Sequence, residues 1–187
     1  MKQTSKEQMI EGALALLAKN GLQATSFSEV LALTKAPRGS IYHHFPGGKE
    51  ELVAAALSLS EQKTLESIKG LSGDTPEKIT EGFLGLWRYL LTTSNFTAGC
   101  SAVAVTVATD SPMLLERTTS IFRSWQQQLS KQFVEAGLAK KEALDFATVL
   151  IASSEGAVVM ARAEKSMEPF ERVAEMLVSQ SKMLKKG

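Results

Sequence analysis

Apolar residues recur at helical spacing along this chain. Ile10, Ala13, Leu14 and Leu17 make one stripe; Ile79, Phe83, Leu86, Trp87, Leu90 and Leu91 make another; Phe170, Val173, Leu177 and Leu184 make a third. Residues three and four apart share one face of an α-helix, so each stripe predicts an amphipathic helix. No stretch alternates apolar and polar residues in the period-two manner of a half-buried strand. Between the sparse prolines the chain is rich in Ala, Leu, Glu, Lys and Gln, the strong helix formers. The pattern predicts an all-α fold.

Start and stop signals place the elements. The first helix is expected over 5–20, closed by Asn20-Gly21, with Leu22 packing its exit. Ser26 with Glu29 three residues later is a capping-box pattern, opening a short helix over 27–34 with Val30 and Leu33 facing inward. Pro37 suits the first turn of a third helix, where its missing N–H has no partner to lose; that helix ends at Phe45, before Pro46-Gly47-Gly48. A fourth is expected from Lys49 towards Lys69, followed by the loop Gly70 to Asp74, and a fifth opens at Thr75-Pro76. A small-residue helix follows over about 100–108, then long ones over 113–136 and 141–164, and a last one from Pro169 to about Lys185. The expected architecture is three short helices, a connecting helix and a bundle, divided by role into 1–48 and 49–187.

The bulk numbers narrow the class without naming a function. With 187 residues, 44% of them hydrophobic and 22% charged, the chain has the make-up of a soluble globular protein. Cys100 is the only cysteine, which excludes an intrachain disulfide and fits a reducing compartment. Lys2 to Lys6 follow Met1 with no apolar run of signal-peptide length. Ala98 to Ala108, read as the most apolar stretch, is too short to span a bilayer. A cytoplasmic protein with no membrane partner is expected.

A net charge of +1 says little, but its distribution says more. From Lys35 to Lys49 there are three cations and no acid, and the chain's two histidines lie between them. Two short helices separated by about two residues, braced by a preceding amphipathic helix, read as a helix-turn-helix. In that motif the second helix enters the major groove, its N-terminal residues reaching the base edges. Arg38 and Ser40 stand at that end, and Gly39 removes a side chain so that backbone can approach DNA. Ile41 and Phe45, four apart, are the inward anchors. Tyr42 and His43 then point outward as donors for phosphate oxygens. Lys49 brings a cation to the start of the fourth helix, and Thr25 and Ser26 bring hydroxyls to the start of the second, where free N–H groups favour an anion.

Thr25-Ser-Phe-Ser-Glu-Val30, Ala36-Pro-Arg-Gly-Ser-Ile-Tyr-His-His-Phe45 and Lys49-Glu-Glu-Leu52 together resemble the TetR family of bacterial transcriptional regulators. The resemblance implies that Arg38, Gly39, Ser40, Tyr42, His43 and Lys49 match positions that meet DNA, and that His44 matches one that supports the fold. The chain departs from the family at Thr34-Lys35, where a small residue and glycine are usual. Glycine suits a positive φ, and lysine there costs roughly 1 kcal/mol. Pro37 stands in place of the usual serine cap.

Further on, Thr97-Ala-Gly-Cys-Ser-Ala-Val-Ala104 with Asp110-Ser-Pro112 resembles the LmrA/YxaF-like subgroup. That resemblance implies a small-molecule effector and a dimeric, four-helix interface. Leu114, Leu115, Ile121, Phe122, Trp125, Leu129 and Phe133 form a broad apolar face, and 144–160 is apolar almost all round, with small residues at Ala152-Ser-Ser and Gly156-Ala157. Apolarity on every side implies burial on every side, which a symmetric homodimer through 113–136 and 141–164 would supply. A helix central to its own monomer's core is the alternative. The candidate effector pocket comprises Phe83, Trp87, Leu90, Leu91, Phe96, Cys100, Val103 and Phe122, and such a lining suits a small hydrophobic ligand. Cys100 reads as a small buried hydrophobe rather than a redox sensor, because no basic residue is close in sequence.

An enzyme is the main competing reading. The second half has no histidine and no motif for phosphate cradling, nucleophile activation or metal ligation, so no catalytic residue, metal or cofactor is expected. A helical small-molecule-binding or interaction protein without DNA binding is the other alternative. It leaves the acid-free cationic stretch unexplained. The expectation is therefore a homodimeric repressor of double-stranded operator DNA, released by a small hydrophobic effector.

Overall fold

The computed structural model describes residues 4–71 and 73–184. Ser72 in the expected loop, Lys2 and Gln3, and Lys185 at the expected end of the last helix lie outside the described residues. The elements are α1 (Ser5–Asn20), α2 (Phe27–Thr34), α3 (Arg38–His44), α4 (Lys49–Lys69), α5 (Pro76–Thr93), α6 (Ser101–Thr106), α7 (Pro112–Glu135), α8 (Lys140–Glu164) and α9 (Glu168–Met183). Among the described residues, all regular secondary structure is helical. The chain forms two compact units, joined through α4 and α7 and between Gly99 and Cys100.

The first unit holds the described residues up to Lys63 together with Cys100–Ile121. The α1 helix opens on a reciprocal cap: Thr4 Oγ1 accepts from Glu7 N–H while the Glu7 carboxylate accepts from Thr4 N–H. These bonds hold the Glu7 carboxyl below the usual carboxylate range. Inside, α1 buries Met9, Gly12, Ala13 and Leu17, so the stripe is turned slightly from the expected one and Ile10 is only half-buried. Gly12 permits close approach of α2, since a Cβ there would stand 2.6 Å from Cγ2 of Thr34. Val30, Ile41, Phe45, Leu52, Val53, Ala56 and Leu57 complete the core beneath α3. Leu33, expected inward, is 53% exposed. An eight-residue helix has a single buried residue here, Val30, and Leu33 falls off its face.

Polar ties fix α6 and the start of α7 within the same unit. Ser101 Oγ donates to Ser60 Oγ at 3.0 Å, Arg117 pairs with Glu61, and Ser111 Oγ donates to Glu50 at 3.0 Å. Gln23 Nε2 donates to the Ala108 carbonyl at 3.3 Å.

The second unit holds Thr64–Gly99 and the described residues from Phe122 onward. Its α5, α8 and α9 pack mutually around Phe83, Leu84, Leu91, Leu150, Phe170 and Ala174. Phe133 meets Phe146 edge to face with ring centroids 5.2 Å apart. Arg88 forks onto Glu171 with bonds of 2.7–3.1 Å and lies over the Phe170 ring. The Glu171 carboxylate raises the Arg88 guanidinium above its ordinary range, keeping it charged.

Two expectations change here. The α7 residues Leu114, Ile121, Trp125, Leu129 and Phe133 are buried within the monomer, whereas Leu115 of the same expected face is 37% exposed and Phe122 half-buried. The longest apolar stretch is α8 rather than Ala98 to Ala108. It is long and apolar enough to cross a membrane by length and composition, yet half of its most apolar window is buried inside the protein's own fold.

Candidate nucleic-acid interface

The candidate interface is built on a short helix held from below. Ile41 and Phe45 are 0% and 1% exposed, and Lys6 Nζ sits 5.6 Å from the Phe45 ring centroid. With those two anchors inside, the helical period turns Arg38, Gly39, Tyr42 and His43 outward, and all four are exposed. Among the described residues, nothing beyond its chain neighbours and its own helix backbone lies within 4 Å of where a Cβ would stand on Gly39, so its bare backbone faces open space. His44 is half-buried, its ring between those of His43 and Phe45.

The start of α3 has no side-chain cap. Pro37 occupies the capping position rather than the first helical one, and Ser40 Oγ donates to the Pro37 carbonyl at 2.6 Å. Its first-turn N–H groups are thus left without a capping side chain beside the exposed Arg38. The turn before it behaves as the resemblance implies: Lys35 has φ 56° and ψ 24°, the left-handed region.

Three expected phosphate ligands are placed differently. Thr25 is 1% exposed and its hydroxyl donates to the Gly21 carbonyl at 2.9 Å, so it offers no donor to DNA. Ser26 accepts from Glu29 N–H at 3.2 Å as the α2 cap and pairs with Ser28 Oγ at 2.8 Å. Lys49 Nζ donates to the Leu22 carbonyl at 2.7 Å, tying the start of α4 to the α1–α2 turn. Local sequence placed all three at helix starts correctly, and the partners of Thr25 and Ser26 are themselves near neighbours; only Lys49 bonds a residue distant in sequence, Leu22, where spacing gives no sign.

One contributor went unnoticed in the sequence. Phe27 meets Tyr42 edge to face at 5.4 Å, and the two sit in a concave surface of about 380 Å³ lined also by Ser28, Leu31, Ala36 and Arg38. Phe27 thereby fixes the Tyr42 ring while leaving it 67% exposed. Its position at the first residue of α2, next to the cap, was the available signal.

The candidate effector residues divide between the units. Phe83, Trp87, Leu90, Leu91, Phe96 and Phe122 belong to the second, and Cys100 and Val103 to the first. Phe83 and Trp87 meet edge to face at 6.4 Å, and Phe122 meets Trp125 at 5.8 Å. Among the described residues, the buried Trp87 indole N–H has no hydrogen-bond partner. Asn95 and Phe96 are consecutive non-glycine residues at positive φ, 50° and 60°. A bulky ring in that region is strained, and such strain gathers at ligand sites. Cys100 is half-buried rather than buried, at the cap of α6. The glycine before it lies against a cation that sequence distance hid: a Cβ at Gly99 would stand 2.7 Å from Nη1 of Arg162, which also donates to the Thr97 carbonyl. Among the described residues, no cluster of three or more His, Cys, Asp or Glu is arranged to hold a metal ion.

Comparisons with known proteins agree with this geometry. Residues 9–56 match the family of bacterial regulatory proteins of the tetR type, and residues 76–176 match the C-terminal domain of LmrA/YxaF-like transcriptional regulators. An HTH-type transcriptional regulator of Mycobacterium tuberculosis is 28% identical over 182 residues, covering 94% of this chain and 93% of its own. A TetR transcriptional regulator from Legionella pneumophila has the same fold, with a TM-score of 0.85, 21% identity and coverage of 96% and 98%. A cysteine mutant of the TetR family regulator CifR, solved with 26 bp double-strand operator DNA, shares the fold at a TM-score of 0.70, 17% identity and coverage of 96% and 97%.

Proposed function

Because the chain belongs to the TetR family of bacterial transcriptional regulators, with a C-terminal domain of the LmrA/YxaF-like type, we propose that it binds operator DNA as a homodimer, represses transcription there, and releases DNA when a small apolar effector binds. By role, 1–48 read DNA and 49–187 bind the effector and dimerise, all in the cytoplasm. The observation that carries the reading is the division of α3 into two buried anchors and an outward row of Arg38, Gly39, Tyr42 and His43. A helix anchored in this way presents its N-terminal residues to a major groove.

Arg38 reads bases or holds phosphate, Gly39 lets backbone approach, and Tyr42 and His43 bond phosphate oxygens. Ser40 joins them only if its hydroxyl leaves Pro37. Lys49 and Ser26 act chiefly by holding the frame, and Thr25 does so entirely.

The surface that favours a homodimer lies on α8 and α9. Leu144, Val149, Ala152, Gly156, Val159, Met160 and Ala163 are exposed along one side of α8, with Met176 and Met183 exposed on α9. The exposed positions of α7 are mostly polar, which favours α8 and α9 over α7 and α8 as the pairing helices. A continuous apolar stripe with small residues at its centre suits close helix packing against a second copy.

The effector site gathers around Phe83, Trp87, Leu90, Leu91, Phe96 and Phe122 of the second unit. Aromatic edges, the unpartnered Trp87 N–H and the strained Phe96 support an apolar ligand carrying one acceptor. Such a ligand releases DNA to the extent that it prefers the arrangement that cannot bind. Selection of genomic fragments on the purified chain, followed by release with a library of apolar compounds, tests both halves. A regulator retains a discrete operator and loses it to at least one compound; retention of no sequence above background contradicts DNA recognition.

A further inference from the structure

The turn between α2 and α3 carries a residue that backbone physics disfavours. Lys35 holds φ 56° and ψ 24°, where a Cβ crowds the following carbonyl and glycine does not. The lysine is exposed, and among the described residues it enters no side-chain hydrogen bond or ion pair, so no packing or pairing offsets the strain.

A cation at a helix C-terminus gains something from the helix dipole. The chain provides its own measure of that effect: Lys165, at the C-cap of α8, is also exposed and left-handed, with φ 51° and ψ 40°. Lys35 differs from Lys165 in what surrounds it. It stands three residues before Arg38, the first residue of α3. It directly precedes Ala36, which lines the concave surface shared with Arg38 and Tyr42. No acid occurs from Lys35 to Lys49 to compete for its charge.

We propose that Lys35 is a phosphate-binding residue that extends the DNA contact from α3 into the turn before it, its ligand being a backbone phosphodiester oxygen of duplex DNA. The inference rests on the DNA-binding reading given above. What sets Lys35 apart from Lys165 is its place beside the start of α3, in a stretch without acids, where one more cation would join the DNA face.

The test uses the full chain with three Lys35 variants and one control. DNA affinity is measured on a duplex selected by the wild-type protein from a random library and on a mixed-sequence duplex of equal length. Thermal unfolding is followed in parallel. K35G is expected to raise the melting temperature yet weaken binding to both duplexes about three- to tenfold near 0.1 M salt. Its log–log salt slope falls by roughly 0.9 per protomer. K35A weakens binding likewise, and K35R restores it. K165G also raises the melting temperature but leaves affinity unchanged, because Lys165 is far in sequence from the reading helix and belongs to the other compact unit. Wild-type affinity in K35G and K35A overturns the proposal while leaving DNA binding intact. Loss in K35G alone assigns the effect to turn geometry and overturns it too, as does an equal loss in K165G. A wild-type chain that binds neither duplex removes both this inference and the reading beneath it.

Discussion

The reading head and the helical bundle solve opposite problems with the same type of helix. In α3, two side chains are buried for anchorage and the outward row is polar and cationic. In α8, the buried face is broad, and the outward face is apolar as well. An outward polar row is what a helix needs to meet phosphate and base edges through water-exposed donors. An outward apolar row is stable in water only when something covers it. On the proposed reading, the first helix is complete in the monomer and meets DNA, and the second is covered by a second copy.

Removing the anchor of α3 is the strongest way to break this contrast. Phe45→Ala deletes a ring that is 1% exposed, and the expected cost is about 3–5 kcal/mol by thermal or urea unfolding. DNA binding should fall with it, since Arg38 and Tyr42 lose their support. A stable F45A protein that still binds DNA would show that α3 is held by something other than its buried face.

The α8 face gives the next largest effect. Ala152→Glu together with Val159→Glu places charges on positions already exposed in the monomer, so the fold should survive. Sedimentation is expected to show a monomer, and affinity for a two-half-site operator should drop roughly 100-fold or more as two linked contacts become one. A variant that remains dimeric would move the interface away from α8.

Arg38→Ala is the finest of the three. The expected loss is about 1–3 kcal/mol, with base preference relaxed at one position of the half-site in a competition assay. An equal loss on every sequence would assign Arg38 to phosphate. Only the α3 comparison would then need redrawing, not the fold.

The same contrast explains what could be read in advance. Elements and caps were legible because they depend on near neighbours: Ser26 to Glu29, and the pair Ile41 and Phe45. The outward row of α3 followed from that pair by helical period alone. Polar partners across the chain were not legible. Lys49 was expected on DNA by position, and the bond of its ammonium to the Leu22 carbonyl had no sign in the sequence. Nor could an apolar face be sorted by sequence into core and interface. The strong stripe of α7 proved internal, whereas Met176 and Met183, spaced on a mostly polar helix, proved exposed. Hydrophobicity says that a face will be covered; only the packed fold says whether the chain covers it itself.

The central claim is that the exposed row of α3 meets duplex DNA, and one titration tests it most directly. The full chain is titrated by fluorescence anisotropy against its selected operator, and against a scrambled duplex, across roughly 50–200 mM salt. The account predicts affinity in the nanomolar range for the operator, roughly 1,000-fold or more above the scrambled duplex, falling linearly in log–log form as salt rises. Binding that ignores both sequence and salt, or no binding at all, would contradict it.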